Sequence, residues 1–144
     1  MVDVHKVAEV LGGRQVLGKQ IGSVLELDEA VSKGLPKSAL RSTVRRVYDE
    51  PAAQRRAMYS VVPEATYKRR RERLSAAESE RTERLARTIA AAEYVWDDRD
   101  DARAFLLKPH WELAGKSPMQ AASTELGARE VETILFRIFY GIPS

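Results

Sequence analysis

Apolar residues recur at helical spacing along most of the chain after its first quarter. The first apolar stripe consists of Leu40, Val44, Val47 and Tyr48. Its positions are i, i+4, i+7 and i+8, which share one face of a helix. Asp49 is the predicted cap of a second helix, which has Pro51 in its first turn and runs through Tyr59. Pro63 opens a third, so the pattern predicts three short helices within 38–73.

The longest predicted helix begins at a capping box over 75–78. In this motif the serine side chain accepts a hydrogen bond from a free backbone N–H of the first turn, and the glutamate side chain accepts one from the backbone N–H of the serine. Its apolar stripe consists of Leu85, Ile89, Ala92, Val95 and Trp96. The acidic pair 97–98 marks its end. A short helix is predicted over 101–107, with Phe105 and Leu106 facing inward.

The C-terminal pattern predicts a final helix with clear boundaries. Ser117 is a predicted N-cap with Pro118 at the first helical position, and Thr124 caps the last helix. Gly141 lies where a C-terminal cap belongs. The predicted core face of this helix is Val131, Ile134, Leu135, Ile138 and Phe139. Gly127 in its first turn predicts the close approach of a neighbouring helix.

The first 35 residues show less regular patterning. A short helical turn is predicted to end at Gly12, 14–24 is predicted as a short strand or a loop, and a helix over 28–33 stops at Gly34. No alternating strand pattern follows, so the predicted fold class is all-α, a small helical bundle. Three segments are expected: 1–37, for which dimerisation is one available role, a helix-turn-helix-like segment 38–74, and a helical domain 75–144.

The charges are distributed unevenly along the 144 residues. The net charge is +3, but residues 41–73 carry ten basic and four acidic groups, whereas 74–144 carry nine basic and twelve acidic. A basic third helix after two short helices is typical of a helix-turn-helix, in which the third helix enters the major groove. The candidate DNA-binding residues are Thr66, Lys68, Arg69, Arg70 and Arg71.

Two positions depart from the usual helix-turn-helix pattern. Val61 occupies the turn position, where glycine is usual, and Arg56 stands where an apolar residue normally packs. The alternative interpretation is therefore a solvated basic face on an ordinary helical hairpin, without DNA.

The sequence lacks the residue patterns that are typical of catalytic, metal-binding and cofactor-binding sites. There is no cysteine, and the two histidines, His5 and His110, lack metal-ligand spacing. No phosphate-binding glycine loop or nucleophile motif occurs, so we expect neither an enzyme nor a cofactor. No apolar run reaches membrane length, and the N-terminus lacks a signal-peptide pattern, so we expect a cytoplasmic protein without a membrane partner.

The C-terminal third contains a series of motifs in fixed order. The stretches are ARAFLLKPHWELAGKSPMQ and TELGAREVETILFRIFYG, and upstream GLPKSAL and VVPEATYKRRRERLSAAESERTERLARTIAAAEYVW. The region 100–144 resembles the toxin-binding domain of the Xre/MbcA/ParS antitoxin family, whose pattern runs from Ala-Arg-x-Phe/Trp-Leu through Gly-Lys-Ser/Thr-Pro and Thr-x-x-Gly-Ala to Arg-Ile-x-x-Gly. The upstream stretches resemble the degenerate helix-turn-helix that precedes this domain.

The resemblance implies an antitoxin that binds a folded toxin with a RES domain, an enzyme that consumes NAD, and covers its active site. It also implies a homodimer and, for some members, repression of their own operon through operator DNA. A rival interpretation is a transcription regulator whose C-terminal domain only dimerises.

Aromatic side chains off the core face of the last helix are candidates for partner contact, because aromatic residues are enriched in interface hot spots. Phe136 and Tyr140 are such residues, although they are equally compatible with a wider core stripe. Proline restricts the tail after Gly141, so little entropy is lost when it inserts into a cavity. The candidate toxin-binding residues, expected to plug or border the toxin's NAD site, are Arg137, Tyr140, Gly141, Ile142, Pro143 and Ser144. The alternative is a frayed tail.

Overall fold

Helices account for the regular structure of this protein. The computed structural model describes residues 3–142, and this part of the chain forms ten α-helices and one 3₁₀ turn. The helices are α1 (Val4–Val10), α2 (Gly13–Leu17), α3 (Val24–Lys33), α4 (Lys37–Arg45), α5 (Pro51–Val61), α6 (Glu64–Arg69), α7 (Ala76–Trp96), α8 (Arg99–Leu107), α9 (Pro118–Ala121) and α10 (Glu125–Tyr140), and the 3₁₀ turn is Trp111–Leu113. Within 3–142 the only strand-like pairing is one antiparallel bridge between Pro36 and Arg73. The all-α prediction is confirmed.

Helix α7 is the central element, and six other helices pack against it: α1, α3, α4, α5, α8 and α10. Its predicted capping box is present: the Glu78 backbone N–H donates to Ser75 Oγ at 3.1 Å, and the Ser75 backbone N–H donates to Glu78 Oε1 at 2.8 Å. Ala86 and the run 90–92 are buried. Small side chains at these positions let neighbouring helices approach α7 closely.

Two clusters of buried side chains hold the helices together. The larger includes Val7 of α1, Ile89 of α7, Leu106 of α8 and Leu135 of α10. The smaller consists of Leu40, Val44, Met58, Val62, Tyr67 and Leu74. The smaller cluster therefore belongs to α4, α5 and α6, which form a compact unit on one side of α7.

The region 14–24, predicted as a strand or a loop, is instead partly helical. Helix α2 occupies one turn and is bracketed by Gly12 and Gly18, whose φ angles of 115° and 80° lie in the left-handed region. Ser23 Oγ then accepts from the backbone N–H of Glu26 at 3.2 Å, so α3 begins earlier than the predicted 28. A single turn between glycines is too short to show helical periodicity, which explains why the pattern did not reveal it.

The last helix is capped as predicted, but its buried face is shorter than predicted. Val131, Ile134 and Leu135 are buried, whereas Ile138 is 40% and Phe139 43% exposed. Helices α7 and α10 both end at this point, so no further turn of α7 covers these side chains. The prediction that the core stripe includes Ile138 and Phe139 is wrong.

This difference predicts unequal costs for two similar substitutions on α10. Leu135→Ala is expected to lower the free energy of unfolding by about 2–5 kcal/mol, because a fully buried side chain leaves a cavity. Ile138→Ala is expected to cost less than about 1 kcal/mol, because water already reaches this side chain. Chemical denaturation of both variants measures the difference, and equal losses would contradict the structure.

Candidate functional site

Helices α5 and α6 form a helix-turn-helix arrangement with a two-residue connection. Val62 is extended at φ −132° and buried, and Pro63 at φ −51° directly precedes α6. Neither residue has a positive φ angle, so this turn does not require glycine. Met58 and Tyr67 pack beneath the turn in the smaller cluster, which fixes α6 against α5 and α4.

Three of the five candidate DNA-binding residues lie on α6 itself. Lys68 and Arg69 are exposed, and Lys68 Nζ is 2.9 Å from Glu64 Oε1. Thr66 is partly exposed, and its Oγ1 lies 3.5 Å from a terminal nitrogen of Arg69. Helix α6 therefore presents two cations to solvent at its C-terminal end.

The predicted third helix does not extend over the whole basic run, because α6 ends at Arg69. Arg70 binds Glu78 with both carboxylate oxygens at 3.1 Å, and Arg71 is exposed in the following segment. Burial opposes ionisation of Glu78, but hydrogen bonds from Arg70 and from Ser75 outweigh it and hold the pKa of Glu78 below its usual value. Arg70 thus joins the end of α6 to the start of α7.

Two further cations beside the turn were not among the sequence candidates. Arg55 and Arg56 on α5 are exposed, and neither forms an ion pair within residues 3–142. Arg56 departs from the usual apolar pattern because its position faces solvent. The signal that points to both residues is the positive excess of residues 41–73.

A second surface is built from exposed aromatic side chains. The chain contains ten aromatic residues, and six of those between 94 and 140 are exposed. We call this the aromatic surface: Tyr94, Trp96, Trp111, Phe136, Phe139 and Tyr140. The ring centroids of Tyr94 and Phe139 lie 5.4 Å apart, which connects the end of α7 to the end of α10. Monomeric proteins rarely leave such a patch uncovered unless it serves binding.

One side of the aromatic surface forms a groove of about 650 Å³ between α7, α8, α10 and the 3₁₀ turn. Its aromatic wall runs from Trp96 to Phe105 at 6.1 Å between centroids, then to His110 at 6.5 Å and on to Trp111 at 6.3 Å. Phe105, predicted to face inward, is only half-buried, and Trp111 is 77% exposed. The groove was not predicted, because its wall joins side chains from separate elements.

Arg137 and Tyr140, two of the candidates for toxin binding, do not line this groove. Arg137 forms an ion pair with Glu112, which ties α10 to the 3₁₀ turn. Tyr140 is 61% exposed and lies 4.6 Å from Phe136, measured between ring centroids.

The chain after α10 follows a common helix ending. Gly141 has a left-handed φ of 65°, and the Ile142 backbone N–H donates to the Arg137 carbonyl at 2.8 Å. Ile142 is exposed. Pro143 and Ser144 lie outside the described residues.

Within residues 3–142, no helix combines the length and apolarity needed to cross a membrane. The same part of the chain contains no cluster of three or more potential metal-ligating residues.

Comparison with known proteins matches the two regions of the chain that contain these surfaces to known domains. Residues 26–87 match the antitoxin Xre-like helix-turn-helix domain, and residues 91–141 match the antitoxin Xre/MbcA/ParS C-terminal toxin-binding domain. A curated relative, antitoxin Xre of Pseudomonas putida, is 37% identical over 84 residues, which cover 56% of this chain and 53% of the relative. The alignment thus spans about half the length of that relative. The two matched regions occupy most of the chain, which belongs to the Xre/MbcA/ParS antitoxin family.

Proposed function

We propose that this protein binds a toxin and neutralises it through the aromatic surface. The observation that carries this proposal is the exposure of six aromatic rings within or beside the ends of α7 and α10, in the region matched to a toxin-binding domain. Aromatic side chains contribute large contact area at interfaces and are enriched among hot spots. A partner that covers them removes apolar surface from water.

The proposed toxin is a RES-domain enzyme that consumes NAD, and the antitoxin covers its active site. This identity rests on the family resemblance, and the cytosol is the compartment of the NAD pool that such a toxin depletes. We assign toxin contact to 75–144, DNA contact to 38–74 and dimerisation to 1–37.

Arg137, Tyr140 and residues 141–144 are proposed to border or plug the toxin's NAD site. The ion pair of Arg137 with Glu112 and the cap at Gly141 hold the end of α10 in one conformation. A segment that leaves a fixed helix end loses less entropy on insertion than a chain that is free at both ends.

Deletion of residues 141–144 tests this part of the proposal. We expect about tenfold weaker binding to the proposed RES-domain toxin, and loss of NAD protection in cells that express both proteins. As a matched control, replacing 142–144 with Gly-Ser-Ser while keeping Gly141 separates loss of side chains from loss of the helix cap. Full NAD protection by the deleted protein would show that inhibition comes from another surface.

Operator binding by α5 and α6 is a second candidate function, favoured by the solvent-facing cations of these helices. Arginine and lysine neutralise phosphates, and arginine also recognises guanine edges in the major groove. We propose that Thr66, Lys68, Arg69 and Arg71 contact DNA, whereas Arg70 is held by Glu78.

A homodimer would place two copies of α6 on a two-fold symmetric operator. The exposed apolar residues Val24 and Leu25 of α3 are available for that interface, and sedimentation equilibrium at a mass of one chain would rule the dimer out.

Removing three cations from this region should weaken DNA binding strongly. The test variant combines Lys68→Ala, Arg69→Ala and Arg71→Ala. We expect at least about tenfold weaker retention of promoter DNA in gel shifts and a shallower salt dependence, because fewer counterions are released. Toxin binding should be unchanged.

The matched control removes the same charge from exposed positions on α2, α3 and the segment between them. It combines Arg14→Ala, Lys19→Ala and Lys33→Ala. Equal loss of DNA retention in test and control variants would mean that net charge, and not α6, governs binding. A wild-type affinity for its own promoter no better than for random DNA would refute a specific operator reader.

A further inference from the structure

The groove in the aromatic surface has an acidic edge. Asp101, in the first turn of α8, lines the groove together with the aromatic wall. Residues 97–101, which join α7 to α8 and include the first turn of α8, contain four aspartates and one arginine, and all five side chains are exposed. Lys108 is the only cation among the described residues that line the groove. The charge around this end of the groove is therefore predominantly negative.

Among the aspartates of 97–101, Asp101 is the one whose carboxylate both lines the groove and has no partner among the described residues. Within residues 3–142 it takes part in no hydrogen bond or ion pair, although it is exposed at the groove. Asp98, by contrast, accepts from the backbone N–H of Asp100 at 3.0 Å. Asp49 binds Arg103 at 3.1 Å, and Asp100 lies 4.0 Å from the same guanidinium. Asp101 is thus available to a cation brought by another molecule.

Aromatic faces beside a carboxylate are complementary to a cationic side chain. The negative face of an aromatic ring attracts a cation, and tryptophan is the strongest such ring. Trp96 and Trp111 both line the groove, with Phe105 and His110 between them. Arginine fits this arrangement better than lysine, because its planar guanidinium stacks on rings and can bind a carboxylate with two hydrogen bonds.

We propose that the groove of Trp96, Phe105 and Trp111 receives an arginine side chain of the toxin, whose guanidinium pairs with Asp101. The proposal rests on toxin binding by the aromatic surface and adds the chemistry of the partner. It assigns to the groove a role distinct from that proposed for Arg137, Tyr140 and residues 141–144, and neither Arg137 nor Tyr140 lines the groove. A toxin that binds an anionic dinucleotide is expected to carry cationic side chains around its cleft. Such a side chain is complementary to the negative charge at this end of the groove.

Intrinsic fluorescence reports directly on this groove, because both tryptophans of the chain line it. Titration of the full-length protein with N-acetyl-arginine amide is expected to change the fluorescence with saturation at a dissociation constant of about 1–10 mM. N-acetyl-citrulline amide, which has nearly the same shape without the charge, should bind at least about fivefold more weakly. Equal responses to both compounds would overturn the proposal. A fluorescence change that depends on protein concentration without any probe would also overturn it, since a second copy would then fill the groove.

Two aspartate variants separate a specific contact from general electrostatic attraction. Asp101→Asn should weaken binding of the arginine compound about three- to fivefold and remove the preference over citrulline. Asp100→Asn is the matched control, because it removes the same charge from the adjacent position of α8 and does not line the groove. It should change the affinity less than about twofold. Equal effects of both variants would refute pairing with Asp101.

Binding of the proposed RES-domain toxin then tests the role of the groove in the complex. Trp111→Ala should weaken that binding about 30-fold, the loss typical of an aromatic hot spot, and its exposed position means that the fold should persist, as circular dichroism would show. Full affinity of both Trp111→Ala and Asp101→Asn would overturn the proposed contact while leaving the antitoxin function intact. Absence of toxin binding by the wild type would instead overturn the proposed function, and the titration with arginine and citrulline compounds would still report on the groove.

Discussion

Replacing Glu93 with alanine is expected to lower the free energy of unfolding by about 3 kcal/mol, because it removes the buried carboxylate that binds the largely buried Arg46 and leaves this cation with only the exposed Glu9 as a partner. The Glu93 carboxylate binds Arg46 through two hydrogen bonds of 2.7 and 2.8 Å and Lys6 at 3.1 Å. These contacts join α7 to α4 and α1. Glu93 is buried, and the side chain of Arg46 is largely buried with it.

The matched control for this substitution is Glu130→Ala on α10. Glu130 is exposed and forms no ion pair within residues 3–142, so its loss should change stability by less than about 0.5 kcal/mol. Chemical denaturation measures both variants. Similar effects at the two positions would show that the network around Glu93 contributes nothing specific.

The same network makes stability depend on pH in a defined direction. Burial disfavours the charged carboxylate, but hydrogen bonds and charges of Arg46 and Lys6 outweigh burial and lower the pKa of Glu93. The unfolded chain then binds a proton more readily than the folded one, so this stabilisation is complete above about pH 5 and is lost as the pH falls through the folded pKa. Between about pH 5 and 3, Glu93→Gln should flatten the decline in stability. An unchanged slope would contradict the lowered pKa.

Gly127→Ala is expected to destabilise the protein by about 3 kcal/mol or more, although alanine favours helices. A Cβ atom at position 127 would lie 1.8 Å from the carbonyl oxygen of Ala121, at the end of α9. Backbone atoms cannot move aside as a flexible side chain can, so α9 and α10 would have to separate. The Gly127 backbone N–H also donates to the cap Thr124 at 3.0 Å, which fixes the position of this turn.

Gly22→Ala provides the control for this prediction. Its Cβ would meet only a carboxylate oxygen of Glu26 at 3.3 Å, the far end of a flexible side chain. We expect a change within about 0.5 kcal/mol or a slight gain from reduced freedom of the unfolded chain. Chemical denaturation measures the stability of both variants. A loss below about 1 kcal/mol for Gly127→Ala would mean that α9 and α10 lie further apart than the structure places them.

The ends of the helices from α7 onward were predictable from the sequence because they depend on hydrogen bonds between near neighbours. Ser75 with Glu78, and Thr124 with Gly127, interact across three residues. Gly141 adopts the left-handed conformation that ends a helix, which few other residues adopt. The close packing at Gly127 was also expected, although only the structure identifies Ala121 as the neighbour.

Sequence patterning alone did not determine which apolar residues are covered. The stripe on α10 continues regularly to Phe139, yet its last turn is exposed because the neighbouring helix ends beside it. Likewise, Arg70 belongs to a basic run in the sequence, but the start of α7 brings Glu78 within reach and gives it an intramolecular partner. Burial and pairing of this kind depend on where other elements end.

The sequence by itself determined that this chain is helical and, through local motifs, where its later helices begin and end. Its family motifs also indicated toxin contact in the C-terminal third. Only the tertiary structure placed Trp96 beside Phe105 and Trp111 near Ile138, around a groove edged by Asp101. These side chains come from three helices and a 3₁₀ turn, and no periodicity along one element links them. A local hydrogen bond is encoded within three or four residues, whereas a surface is shaped by the packing of whole helices against one another.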